Sequence, residues 1–436
     1  MRWLVLISLV CTTLPAMADD AELETLVREA LEARPELQQA LAETRAAKER
    51  VGQAEAWTDP MLEVGVQNDS FTAWNVGTME TSWVSFMARQ TIPFPGKTAL
   101  RGDVARADVS LTQLTAERVR LSTIAEVRRA YLQLQVLRER RALLEQLLQV
   151  DQRLVDSAQV RAATGTGSQA DLVRAQVALS RARQKRFLLD ADIHGQEEAL
   201  NQLRQKPLHT RIAAPPLARE GLPELLDEDA LIELARAKCP ELLGARAGIV
   251  RAEASAALAR RSAWPDFTVG AGVMARGRLE PMWQLTLGVP VPVFSAPRQG
   301  RSEAEAGAMK DAASRGVDAV EQKLRLLARH RIENLRAYTA LFRGSQEGLL
   351  EQLDAAIEST LAQYTSGKSD LAPILELTSL RLAETETALQ VLADAKRLAI
   401  EQDELSPAPA SAPAPSMTAP TTTRVPASSS SSSGGM

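Results

Sequence analysis

The sequence predicts a mainly α-helical protein with a small β part, written as two tandem versions of one half. Three observations predict it. A set of motifs recurs in the same order at a spacing of about 200 residues, far too long for a solenoid. Two long stretches carry helical periodicity with almost no proline, and four short segments alternate apolar and polar residues.

The repeat organises the rest. ARPELQQA at 33–40 is answered by KCPELLGA at 238–245, each opening a helix rich in Ala, Arg and Glu. WTDPMLEVGV from Trp57 is answered by WPDFTVGAGV from Trp264, and FMARQTIPFPGK at 86–97 by LTLGVPVPVF at 285–294. Arg129-Ala130-Tyr131 returns as Arg336-Ala337-Tyr338, and TGTGSQADLVRAQ at 164–176 as TSGKSDLAPILELT at 365–378. Two domains with separate cores would also show such a repeat. Each half offers only two strands, however, and an isolated pair is marginal in water, so the four strands are expected to share one sheet.

The predicted organisation follows in order. Residues 1–18 read as a signal peptide: Arg2, an apolar core from Trp3 to Leu14, and a small-x-small site at Ala16-Met17-Ala18. An uncleaved anchor would need about 20 apolar residues, and Thr12, Thr13 and Pro15 break the run. Lipidation at Cys11 is discounted because bulky Val10 precedes it. The first repeat spans 19–205, with strands at 60–68 and 82–92 and a helical hairpin over 98–205. A linker covers 206–224. The second repeat spans 225–403, with strands at 266–274 and 282–291 and a hairpin over 298–403. Residues 404–436, rich in Pro, Ala, Ser and Thr, cannot bury enough apolar surface to order and read as a disordered tail.

The long helices carry the plainest signal. Ile124, Val127, Tyr131 and Leu134 form a coiled-coil stripe, extended by Leu144, Leu148 and Val155. Between Thr98 and Ala162 there is no proline, and Gly102 is the weak point. The second half repeats the pattern to Tyr364, with Leu335, Tyr338 and Phe342 on one face and a kink or close approach expected at Gly344 and Gly348. The strands alternate: Leu62, Val64 and Val66 against Glu63, Gly65 and Gln67; Phe267, Val269, Ala271 and Val273 against Thr268, Gly270 and Gly272; Trp283, Leu285, Leu287 and Val289 against Gln284, Thr286 and Gly288. A transmembrane barrel and a soluble one-faced sheet share this pattern. Trp57, Trp74, Trp83, Trp264 and Trp283 favour the barrel, because indoles sit at the headgroup level. Four strands cannot close a barrel, so several protomers are required, and three would give twelve strands.

Composition excludes several function classes. Lys and Arg number 51 against 55 Asp and Glu, interspersed, which argues against a nucleic-acid face. Cys239 is the single cysteine after the leader, and His194, His209 and His330 lack metal-ligand spacing. No nucleophile elbow, Walker loop or HExxH pattern occurs, and GTGS at Gly165 lacks the Lys of a phosphate loop. No enzyme, cofactor or resident metal is predicted.

At the PEL helix openings, the WTDP and WPD strand openings, the QTIPFPGK and VPVPVF strand exits, and the GTGSQADLVRAQ and YTSGKSDL corners, the chain resembles the TolC-like outer-membrane efflux protein family. The resemblance covers nearly the whole mature chain. It implies a homotrimer in outer-membrane lipid: a twelve-stranded barrel continued by an α-helical tunnel across the periplasm, working with a periplasmic adaptor and a proton-driven inner-membrane pump. PFPGK and the lack of an acylated cysteine point to the heavy-metal efflux branch. In the family the periplasmic mouth closes on inward helix ends with acidic rings. Tyr364 and Gly367 fall on the family's Tyr-x-x-Gly, and Glu376 falls where the family has a pore-facing Asp. Pro373 stands where another Asp is usual, which puts a second acidic ring in doubt. Lys368 and Asp370 are further gate candidates, and Gly165, Gly167 and Gly367 are corner residues that would dock the adaptor. The alternatives are a duct for protein or peptide secretion and a soluble periplasmic coiled-coil adaptor or scaffold.

Overall fold

The computed structural model describes residues 20–218, 221–291 and 296–404, so the expected leader and nearly all of the expected tail lie outside the described residues. The chain opens with α1 (Asp20–Ala33) and α2 (Pro35–Glu55), which the PEL motif separates. Pro35 cannot continue the first helix. It holds Arg34 extended and restarts the helix as its first residue. The second half repeats the device: α5 (Glu228–Lys238) stops at extended Cys239, and Pro240 begins α6 (Pro240–Ser262).

Helix α3 (Lys97–Ala163) runs unbroken for 67 residues, about 100 Å. The predicted stripe is its core face except at Ile124, which is half-buried: Val127, Tyr131, Leu134, Leu144, Leu148 and Val155 are buried in one cluster with Leu26 and Ala30 of α1 and Leu179, Ala182, Leu189, Ile193 and Leu200 of α4 (Gln169–Leu203). Gly102 is no weak point. A side chain there would run into the Glu55 carboxylate, so the glycine lets α2 approach α3. The described part of 206–224 is a non-helical strap over α3. Ile212, Ala214 and Leu217 are buried, Leu217 N–H donates to the Gln135 carbonyl (3.1 Å), and Arg138 donates to the Ile212 carbonyl (2.6 Å).

The second hairpin departs from a continuous helix. Between α7 (Arg301–Gly344) and α8 (Leu350–Thr365) lies a π-helical turn, Ser345–Leu349, which Gly344 precedes and Gly348 lies within. Close packing is not the reason, since nothing lies within 4 Å of a Cβ built at Gly344 or Gly348. The turn swings Ser345 inward, where its Oγ donates to Glu384 (2.8 Å) of α9 (Ala372–Glu404).

Strands β1 (Met61–Gln67), β2 (Trp83–Ile92), β3 (Phe267–Arg276) and β4 (Leu279–Gly288) form one antiparallel sheet in sequence order. The shared sheet expected from the repeat is therefore present, with β2 and β3 joining the halves from Val84↔Ala275 to Ile92↔Phe267. Strand β4 starts three residues earlier than 282. Left-handed Gly277 (φ 63°) makes the turn so tight that pairing continues to Arg276↔Leu279.

Candidate functional site: an open sheet and a helical mouth

Register turns the predicted alternation into two unlike faces. Across the sheet, Val64, Phe86, Val273 and Trp283 form one row, and Leu62, Ala88, Ala271 and Leu285 the next. These side chains are largely solvent-exposed in the single chain, with Trp283 at 77% and Leu62 at 80%. The opposite face carries Glu63, Met87, Gly272 and Gln284 in one row, and Arg89 pairs with Glu63 at 3.3 Å. There the glycines are space-makers: a Cβ on Gly272 would sit 2.5 Å from Met87 Cγ, so the face closes over them. Trp57 and Trp264 lie where the helices feed the sheet, and Trp74 and Trp83 toward its far end.

The strand motifs meet at the helix-to-sheet junction. Lys97, buried at the end of PFPGK, donates from Nζ to Asp266 Oδ1 of the WPD motif (2.7 Å) and to the Trp264 carbonyl (2.6 Å). Phe94 N–H donates to the same carboxylate (2.9 Å), and the Phe94 ring stacks on Trp264 at 5.1 Å. Motifs 172 residues apart thus form one knot that fixes the sheet on its helices. Sequence reading placed both motifs at strand ends without pairing them, because nothing local links Lys97 to Asp266.

At the other end the two hairpin corners share one geometry. Gly165 (φ 71°) and Gly367 (φ 74°) take the left-handed conformation, while Thr166 N–H bonds the Arg161 carbonyl and Lys368 N–H the Gln363 carbonyl at 2.9 Å each. This is a Schellman end, and it requires glycine sterically. Gly167 is different. A Cβ there would stand 2.8 Å from the Arg161 Cβ, so its role is close approach. Ser168 caps α4 through Ala170 N–H (3.1 Å). Counted from the two left-handed glycines, Asp171 in the first corner corresponds to Pro373 in the second.

Tyr364 is buried (2% exposed) between the corners. The Arg161 guanidinium lies 4.4 Å over its ring and donates to its carbonyl. Burial raises the Tyr364 phenol above its ordinary range; the nearby Asp171 carboxylate adds to the rise and Arg161 opposes it. Lys368, Asp370 and Glu376 are exposed, and Leu371, whose carbonyl takes the first bonds of α9, separates Asp370 from the helix. The corners therefore bring Gly165, Gly167, Gly367 and Tyr364 together, whereas Glu376 stands a turn further along α9. Arg161, absent from the sequence prediction, is the centre of the contact between the two corners.

Beyond the corners, α4 and α9 flank a groove floored by α3 and lined by Asp151, Arg174, Arg181, Lys185, Glu376 and Glu386 among apolar residues. Lys185 pairs with Glu386 at 2.7 Å and Arg174 with Asp171 at 3.5 Å. Burial alone pushes Asp151 up to about 6. Among the described residues no group of three His, Cys, Asp or Glu is placed to hold a metal, and no helix is long and apolar enough to cross a membrane.

A four-stranded sheet feeding two long helical hairpins is the fold of the outer-membrane efflux channels. Residues 26–204 match the family model described as outer membrane efflux protein. The outer membrane protein VceC from Vibrio cholerae superposes with a TM-score of 0.71 at 16% identity, over 88% of this chain and 95% of its own. A membrane protein from Pseudomonas aeruginosa gives 0.71 at 20% identity over 88% and 93%. The open state of the MtrE outer membrane channel of Neisseria gonorrhoeae gives 0.67 at 18% identity over 88% of each. No curated protein matches the chain by sequence. The resemblance to the TolC-like outer-membrane efflux family, carried by the motifs, thus holds in fold over most of the chain and in sequence over residues 26–204.

Proposed function

We propose that the chain is the outer-membrane duct of a tripartite efflux system. Three copies, each giving four strands, close a twelve-stranded barrel that the long hairpins continue as a tunnel across the periplasm. The observation that carries this reading is the sheet: among the described residues both edges are open, its apolar face is bare, and it is tied by Lys97–Asp266 to α3, a helix about 100 Å long. An open apolar sheet in water is an aggregation hazard. Closure among copies within lipid removes the edges and covers the face with acyl chains, leaving the Glu63–Arg89 face on a wet interior. The duct is passive, so a proton-driven inner-membrane pump supplies the energy and a periplasmic adaptor joins the two. The cargo is small solutes, heavy-metal cations or drugs.

In this reading the corner glycines Gly165, Gly167 and Gly367 form the tight ends that the adaptor grips. Tyr364, Lys368, Asp370 and Glu376 belong to the gate, with Arg161 clasping Tyr364 to hold the two corners shut. Threefold symmetry would set three Glu376 carboxylates around one axis, where they attract cations. The test is to purify the protein, measure its mass in detergent, and record conductance in planar bilayers. A trimer that conducts is expected, with cation preference reduced in Glu376→Gln. Recovery as a soluble protein without detergent would sink the duct, and unchanged selectivity in Glu376→Gln would remove that carboxylate from the gate.

A further inference from the structure

The groove between α4 and α9 has a volume of about 640 Å³, within the range of small-molecule sites. Its apolar surface comes from Leu144, Leu147, Val173, Val177, Leu375 and Leu382. Asp151 sits on the α3 floor, 4% exposed, and its carboxylate meets no hydrogen-bond or ion-pair partner among the described residues. A desolvated carboxylate without a partner is costly to keep, so the floor lacks a cation. The charged groups that line the groove do not supply it. Lys185 is held by Glu386 and Arg174 by Asp171, Arg181 is exposed, and Glu376 adds a further acid.

We propose that this groove binds an amphipathic organic amine, with the apolar body along the leucines and valines and the ammonium on Asp151. A metal ion fits less well, because it needs three or four ligands and the groove wall is mostly hydrocarbon. The inference rests on the duct reading only for its biological meaning: there Glu376 lies on the pore wall, so the groove it lines opens onto the path of the cargo. Asp151, raised to about 6 by burial, is charged at neutral pH and takes up a proton below that, so amine binding weakens as pH falls through 6.

The probe is dansylcadaverine, a fluorescent apolar primary amine, titrated into the purified full-length protein in detergent. Its N-acetyl derivative serves as the uncharged comparison. Saturable binding is expected at pH 7.5, weakened about tenfold or more by Asp151→Asn or by N-acetylation, the scale of one lost charge-assisted hydrogen bond. Val177→Trp, which fills the groove without changing charge, should abolish it. Equal affinity in Asp151→Asn and the wild type, or equal binding of the acetylated probe, overturns the proposal. So does absence of binding to the wild type, the result expected if a helix of a second copy or of a partner occupies the groove. Bilayer conductance of the same preparation is scored separately, so a protein that binds the amine but does not conduct breaks the duct reading alone.

Discussion

Helices α3 and α7 pass through the same Arg-Ala-Tyr step and then meet opposite surroundings. Counted from that step, Leu134 and Leu341 occupy the same position, yet Leu134 is 0% exposed and Leu341 59%. Tyr131 is buried where Tyr338 is half-covered. The reason is neighbours. Helix α3 is enclosed by α1, α2, α4, α6 and α9, whereas α7 packs on α5, α6 and α9 and leaves Leu326 and Leu341 bare. One helical pattern can therefore serve a finished core in the first half and an unfinished surface in the second. In the trimer we propose, that surface is where the next copy packs.

The largest expected effect breaks this comparison outright. Leu341→Asp should leave the chain folded by circular dichroism but abolish the trimer in native mass spectrometry, while Leu134→Asp should prevent folding. A Leu341→Asp protein that remains trimeric would remove α7 from the interface. Next in size, Leu134→Ala should cost about 4 kcal/mol in denaturant unfolding, the scale of a large cavity in a packed core. Leu341→Ala in the dissociated chain should cost under about 0.5 kcal/mol.

Asp151 sharpens the contrast within α3 itself. Its carboxyl is raised in the folded state to about 6, so its protonated form is the one that folding favours. The stability this group contributes is full below the unfolded value near 3.8 and is lost as pH rises through 6. Asp151→Asn should therefore stabilise the protein at pH 8, by up to about 3 kcal/mol for a shift of this size, and by nearly nothing at pH 4. A variant with the same melting-temperature gain at both pH values would contradict the burial of the charge. The smallest effect belongs to the corners. Gly165→Ala or Gly367→Ala should each cost about 1 kcal/mol, because alanine is strained in the left-handed conformation, while Gly195→Ala, which meets nothing within 4 Å on a helix, should stabilise slightly. Equal melting temperatures for all three would refute the strain.

Much of this was legible in the chain. The Val127, Tyr131 and Leu134 stripe marked the core face of α3 because helical period alone decides which side chains share a face. The alternation of β3 and β4 was equally local, and so were the Pro35 and Pro240 helix breaks. The π turn at Ser345–Leu349 was visible only as two glycines, since backbone slack does not say which hydrogen bonds will shift. Of the mouth, Tyr364 and the glycines carried a motif, but Arg161 did not. Its role depends on where a second hairpin ends, some 200 residues later.

By itself the sequence determined the long helices, the four strands and their polarity, all consequences of short-range sterics and side-chain period. Tertiary structure decided which equal-looking positions are core and which are surface. It brought Lys97 to Asp266, Arg161 to Tyr364 and Glu55 to Gly102, and it left Asp151 buried without a partner among the described residues. Those outcomes follow from which helices come to lie side by side. Burial is a property of neighbours, and no residue carries its neighbours in its own letter.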